Sequence, residues 1–281
     1  MVPALSVTTL LRHKHPLKLA IARCLKITGI SPLFFIRRDG FTLRFYRTNL
    51  SEGLWADSTY RSQDEEFFRR YLRPGDTVID VGANVGHLTL SASVAVGPAG
   101  VVHAVEPHPR IFLYLAGNVA LNSAKNVVLH NVALGKGEES VFFTDNRKSD
   151  DANSVSVAGL ANCVEVPLLQ LDDLPVGRTV VDLLKIDVEG YEKFVLDGAS
   201  SILSSVRCIY FEFCERHLAK YGCHGRDLLE TLEVAGLRLF RSSGENVYTE
   251  IRSDYTTRGI EDLVALQDQQ EFVQRTRCVI V

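Results

Sequence analysis

Downstream of Pro74-Gly75 the chain alternates between two hydrophobic periods. Short, nearly unbroken apolar runs at 77–81, 100–105, 126–132, 180–187, 207–213 and 237–241 have the length of buried strands. Between most of them apolar residues recur every three or four positions, which predicts helices over 86–95, 109–121, 191–204 and 224–235. Strands separated by helices of this length require crossover connections and a parallel sheet, so the pattern predicts a doubly wound α/β fold with helices on both faces. A last apolar run, Arg277 to Val281, is expected to return into the sheet beside 237–241. Upstream, Leu33 to Ile36 and Phe41 to Tyr46 read as a hairpin turning at Asp39-Gly40, and Ser62 to Leu72 reads as a helix with Phe67, Phe68, Tyr71 and Leu72 inward. One stretch breaks the rhythm. Residues 136–178 hold short strand-like runs (Ser140 to Thr144, Ser154 to Val157, Val164 to Leu169) around a polar loop, Asp145 to Asn153, which is long enough to carry function.

The first 38 residues differ in charge from the rest. They carry Arg12, Lys14, Lys18, Arg23, Lys26, Arg37 and Arg38 and no acid before Asp39. Between Pro16 and Thr28, Leu17, Ala20, Ile21, Cys24, Leu25 and Thr28 recur at helical spacing, with Lys18, Arg23 and Lys26 on the remaining face. Such a helix can lie on an anionic membrane as a peripheral contact; the expectation adopted is that it docks its apolar face on the domain. The chain divides into an N-terminal basic helix and hairpin, 1–49, and one catalytic domain, 50–281.

Composition narrows the classes further. An apolar content of 46% over 281 residues suffices for a buried core, and a net charge of −3 gives no general attraction to nucleic acid. The six cysteines contain no Cys-x-x-Cys pair, and the spacing of Cys214, His217, Cys223 and His224 fits no common zinc pattern, so reduced thiols, a cytoplasmic location and no metal centre are expected. No apolar stretch is long enough to span a bilayer.

The most informative segment is Thr77 to Leu90, an apolar strand entering a glycine-bracketed turn and then a helix. Gly82 and Gly86 permit a tight turn and close approach of a ligand, and Glu106, ending the next strand, is placed to accept hydrogen bonds from ribose hydroxyls. A dinucleotide fingerprint would carry a middle glycine where this chain has Asn84. Asp80, just before the turn, would repel a pyrophosphate but suits a ligand bearing an ammonium and a sulfonium. The expected cofactor is therefore S-adenosylmethionine rather than NAD.

Set in order, Arg73-Pro74-Gly75-Asp76, Val78 to Gly86, Ala104-Val105-Glu106-Pro107, Asn131-Val132-Ala133-Leu134-Gly135, Leu171-Asp172-Asp173-Leu174 and, most specifically, Leu184-Lys185-Ile186-Asp187-Val188-Glu189-Gly190-Tyr191-Glu192 resemble the FkbM family of S-adenosylmethionine-dependent methyltransferases. The resemblance covers roughly residues 60 to 215. It implies a Rossmann-like seven-stranded sheet whose last strand runs antiparallel, and O-methylation of hydroxyls, often on sugars or secondary metabolites.

By position, Asp80 is expected to neutralise the amino end of the cofactor, directly or through water. Gly82, Ala83, Asn84 and Gly86 form the turn beneath it, Glu106 grips the ribose, and Asn131 and Val132 reach the adenine edge. Methyl transfer to an alcohol leaves a proton to be removed, and the C-terminal edge of an open α/β sheet is where ligands lie. Asp187 is the expected residue nearest the transferring methyl, orienting or deprotonating the acceptor. Lys185 would hold the acceptor or tune Asp187, and Glu189 is a second candidate base, the three sharing one face if the strand persists. Glu212, among aromatics at the end of 207–213, could also face the cleft, and with Asp187 and Glu189 could hold a divalent ion. His217 and His87 are candidate bases too, though the expectation adopted for each is an ordinary surface or cap histidine. The acceptor expected is a hydroxyl of a small molecule, sugar or glycan; alternatives are RNA or protein methylation, a catalytically inactive cofactor-binding subunit, and an NAD-dependent oxidoreductase.

Overall fold

The computed structural model describes residues 14–137, 139–145, 155–156, 163–177 and 180–281. Most of the polar loop expected at 145–153, the ends of the strand expected at 154–157, and Arg12 lie outside them. In chain order the elements are α1 (Pro16–Thr28), β1 (Phe35–Arg38), β2 (Phe41–Arg44), α2 (Asn49–Ala56), α3 (Ser62–Tyr71), β3 (Thr77–Val81), α4 (His87–Val96), β4 (Val101–Val105), α5 (Pro109–Leu121), β5 (Val127–His130), β6 (Ala133–Leu134), β7 (Ser140–Thr144), β8 (Val155–Ser156) and β9 (Cys163–Leu169). There follow β10 (Val181–Ile186), α6 (Glu192–Asp197), β11 (Val206–Phe213), α7 (Glu215–Leu218), α8 (Gly225–Val234), β12 (Arg238–Gly244), β13 (Val247–Ile251), β14 (Glu261–Leu266), α9 (Gln269–Thr276) and β15 (Val279–Ile280).

A nine-stranded sheet runs β15-β13-β12-β14-β11-β10-β3-β4-β5. Strands β5, β4, β3, β10 and β11 are parallel neighbours, and β14 is wedged antiparallel between β11 and β12. Within it lies the expected seven-stranded sheet with one antiparallel member, extended by β13 and β15. The antiparallel strand is not the terminal run, however. Residues 277–281 supply β15, which pairs with β13 rather than with the 237–241 strand. The antiparallel place goes to β14, whose Leu263 to Leu266 are almost fully buried.

Strict alternation along the central strands builds two cores. Ile79, Val81, Leu184, Ile186 and Ile209 pack on one side, and Val78, Leu183, Cys208 and Tyr210 on the other. The predicted helix 191–204 is shorter, ending at Asp197 where Gly198 passes close over Gly135 and a Cβ would stand 2.8 Å from a carbonyl oxygen; a 3-10 turn, Ile202–Ser205, replaces its second half. Strands β7, β8 and β9 form their own sheet with β6, in the order β6-β9-β7-β8.

The N-terminal hairpin shares a core with the sheet's helices: Leu43 and Phe45, fully buried, pack with Leu90 and Leu115. Side-chain amides tie it down, Asn118 and Asn122 accepting from the backbone N–H of Arg44 and Thr42, each at 2.8 Å. Helix α1 also docks, on α2, but not through the expected face. Leu19 and Ala22 are buried, and Arg23 and Lys26 turn inward to Glu52 at 2.9 and 2.7 Å, while Leu17 and Ile21 face out. Among the described residues no helix is long and apolar enough to cross a membrane.

Candidate active site

Strand order reverses between β3 and β10, and at the C-terminal ends of these strands opens a cleft of about 500 Å³. One wall is the β3–α4 turn. Gly82 and Gly86 take φ of 77° and 89°, and Asn84 between them also lies in the left-handed region at 50°. A Cβ at Gly82 would stand 2.0 Å from the carbonyl oxygen of Asp187, so the turn and the β10 end meet with no room for a side chain.

Glu106 braces this turn from below. Its Oε2 accepts the N–H of Asn84 and its Oε1 the N–H of His108, both at 2.9 Å. A carboxylate has about four lone-pair sites, so acceptor capacity for two ribose hydroxyls remains. Burial pushes its pKa up to about 7, against the pull of the two backbone hydrogen bonds.

Of the two routes expected for Asp80, the structure closes the direct one. Its carboxylate is fully buried behind the turn, accepting from the Thr89 hydroxyl at 2.5 Å and paired with Lys185 at 3.0 Å, so direct contact with a bound ligand is not available to it. The pairing follows from register, since β3 and β10 set Asp80 beside Lys185. Lys185 in turn donates to the carbonyls of Val81 and Gly82 at 3.1 and 2.8 Å. Burial works against its ammonium, but Asp80 and Asp187 outweigh that and hold its pKa above the ordinary value. Lys185 is thus bound to the frame of the turn. Asn131 behaves similarly: its amide donates to the carbonyls of Glu106 and Pro107, at 2.8 and 2.9 Å, and Val132 is the member of that pair that lines the cleft.

The β10 strand ends at Ile186, so Lys185, Asp187 and Glu189 do not share a face by alternation. Asp187 and Glu189 belong instead to a tight turn in which Glu189 has φ 56° and Gly190 φ 104°. A Cβ at Gly190 would stand 2.3 Å from the carbonyl oxygen of His217. Glu192, buried, closes the turn by accepting the N–H groups of Val188 and Gly190, each at 3.1 Å. This accounts for the Asp-x-Glu-Gly-x-Glu spacing in local physical terms: two acids are presented and a third is spent on the backbone.

The second wall is crowded with carboxylates. Asp187, Glu189, Glu212 and Asp262 line it, with Arg61 opposite. Arg61 lies 3.3 Å from Asp64 and 4.0 Å from Asp187. Burial disfavours its charge, yet Asp187, Asp64 and Asp262 raise its pKa well above the usual range. Glu212 is pushed up to about 9 by burial and by Asp187, Glu189, Glu192 and Asp262, so it holds its proton at neutral pH. Its Oε1 lies 2.9 Å from Nδ1 of His217, which is 3.3 Å from Glu189. Burial lowers the pKa of that imidazole, and a neutral acid beside a neutral base results. Ligand atoms of Glu189, Glu212 and His217 all lie within 4.8 Å of one another, a spacing that could hold a cation. Neither candidate histidine is a surface residue: His217 is buried against the acid cluster, and His87 is buried and paired with Glu65. Arg61 and Asp262 were not foreseen: one sits on an irregular loop, the other on β14.

A family model described as the methyltransferase FkbM domain matches residues 80–239. Over 152 residues the chain is 32% identical to the probable cobalt-precorrin-6B C(15)-methyltransferase (decarboxylating) of Saccharolobus solfataricus, covering 53% of this chain and 69% of that protein. Over 158 residues it is 28% identical to the 31-O-demethyl-FK506 methyltransferase FkbM of Streptomyces tacrolimicus, covering 45% of this chain and 60% of that one. A crystal structure of precorrin-6y C5,15-methyltransferase from Geobacter metallireducens aligns with 73% of this chain and 86% of its own, at TM-score 0.42 and 16% identity. One of the two sequence relatives is named for a carbon acceptor and the other for an oxygen. The cofactor is S-adenosylmethionine, and the glycine cradle with Glu106 beneath it fits that molecule's ribose and methionine portions. Matched across more than half its length, this chain belongs to the FkbM family of S-adenosylmethionine-dependent methyltransferases.

Proposed function

We propose that this methyltransferase acts on a hydroxyl oxygen of a small molecule, sugar or glycan, with Asp187 orienting and deprotonating that hydroxyl. The observation that carries the reading is the placement of Asp187. Its backbone carbonyl abuts Gly82, and its side chain, 24% exposed, lines the same cleft as Glu106. S-adenosylmethionine supplies an electrophilic methyl on a sulfonium, so the chain has only to align the acceptor, exclude water and take one proton. An alcohol needs that proton removed as the new bond forms, and a carboxylate beside the turn is a base of the right kind. Arg61 serves as a positioning residue for it, and the neutral Glu212 and His217 offer a route for the proton away from the centre.

Two features disfavour RNA as acceptor. The net charge is −3, and Arg23 and Lys26 of the basic segment are paired with Glu52.

The test is a labelled-methyl screen against hydroxyl-bearing acceptors, followed by Asp187→Asn. Cofactor affinity should change by no more than about threefold while turnover falls by about 10²- to 10⁴-fold, the usual share of general-base catalysis. Label recovered on carbon or nitrogen removes the oxygen-directed reading, and undiminished turnover in the variant removes Asp187 from the chemistry.

A further inference from the structure

We propose that the outward side of α1, with the segment leading into β1, is a docking surface for an anionic lipid bilayer. The inference rests on which way the helix is turned. A helix that serves only to cover a domain puts its apolar stripe inward and its charges outward. Here Arg23 and Lys26 face inward to Glu52 beside the buried Leu19 and Ala22. The opposite side presents Leu17 at 73% and Ile21 at 43% exposure, one turn apart on a single stripe that Cys24 continues.

The apolar surface does not stop with the helix. Gly29 ends it at φ 79°, and Ile30, Leu33 and Phe35 follow, 47%, 74% and 46% exposed. Seven of the eighteen exposed large apolar side chains among the described residues fall between Leu17 and Phe35. Scattered exposed leucines need no explanation, but a concentration of this kind marks an interaction surface.

Charge identifies the partner. No acid occurs before Asp39, and the exposed cations in this stretch include Lys14, Lys18 and Arg37. Lys18 borders the stripe on the helix, where its stem can lie along the apolar surface while the ammonium group reaches headgroups. Cations predominate beside this surface, with Lys18 on the helix and Arg44 5.3 Å over the Phe35 ring against Asp57 near Lys14, which fits an anionic bilayer; among the described residues no helix is long and apolar enough to cross it, so this face would lie on the surface. The docked element touches the active-site cleft through α2: Lys26 donates to Asn49, which lines the cleft mouth.

The test is co-sedimentation of the full chain with vesicles of phosphatidylcholine alone or mixed with phosphatidylglycerol. The wild-type chain should bind the mixed vesicles, be released by salt, and ignore neutral ones. The double variant Leu17→Glu, Ile21→Glu should lower partitioning at least about tenfold, while melting temperature and S-adenosylmethionine affinity stay unchanged. Lys18→Glu should lose a smaller part of the binding. The proposal is overturned if the wild-type chain stays in the supernatant, or if the double variant sediments as well as the wild type. It is equally overturned if light scattering shows a dimer that the double variant dissolves while vesicles capture neither protein.

Discussion

The two walls of the cleft are built on opposite principles. Around the β3–α4 turn each charged group is already engaged by the frame: Glu106 by two backbone amides, Asp80 by Lys185 and Thr89, and Lys185 by two carbonyls. At the ends of β10, β11 and β14, carboxylates face one another across a few ångströms, and burial with mutual repulsion pushes Glu212 to about 9 and Asp262 to about 7. A wall of satisfied groups holds one ligand in one pose; a wall of crowded acids has proton affinity to spare. The contrast supports the proposed reading, in which the first wall binds and the second handles the proton.

The strongest way to break this division is at its seam. Gly82→Ala drives a methyl group into the Asp187 carbonyl and strains a φ of 77°, so both walls should fail together. Calorimetry should find S-adenosylmethionine binding weakened by at least about 100-fold, with a loss of stability of several kcal/mol, of the order of core overpacking plus backbone strain. Unimpaired binding in that variant would mean the seam is not rigid.

A smaller effect is expected at Glu106. Its ionised form accepts ribose hydroxyls best, and its pKa is about 7, so affinity should rise from pH 6 to pH 8 and then level off. Glu106→Gln should weaken binding by about 10- to 100-fold, the worth of hydrogen bonds to a charged group, and should flatten that pH dependence. Titration of both proteins across this range decides it, and an unchanged slope in the variant would assign the pH dependence to another group.

The smallest effect belongs to the second wall. Glu212 has a folded pKa of about 9, above its unfolded value, so the folded protein binds the extra proton. Its stabilising contribution is complete below the unfolded pKa near 4.5 and is lost as pH rises through about 9. The wild-type protein should therefore melt progressively lower between pH 5 and pH 9, and Glu212→Gln should flatten the decline and raise the melting temperature at pH 8 by a few degrees. A variant that melts lower at every pH would mean that the acid is a stabilising partner for His217 rather than a burden.

The same contrast explains how much of the molecule its sequence discloses. The parallel core is readable because buried strands are short apolar runs punctuated by glycines and helical spacing. The geometry of the turn wall is readable because strand, turn and the next acid follow within one local unit. Contacts across the sheet are not: nothing adjacent to Asp80 announces that Lys185, a hundred residues on, will take its charge. Arg61 reaches the cleft from a left-handed backbone position on a loop, and Asp262 from a strand whose apolar part is only Leu263 to Leu266. The orientation of α1 was also hidden, since period fixes which residues share a face but leaves open which face turns to the protein.

The meeting of Gly82 with the Asp187 carbonyl bears on how such enzymes diversify. If Asp187 is the base proposed above, its distance from the methyl donor is set together with the donor site rather than with the acceptor site, because its own backbone is pressed against the β3–α4 turn. Substrate range could then drift through residues lining the rest of the cleft, Tyr60 and Ile260 among them, without moving that carboxylate.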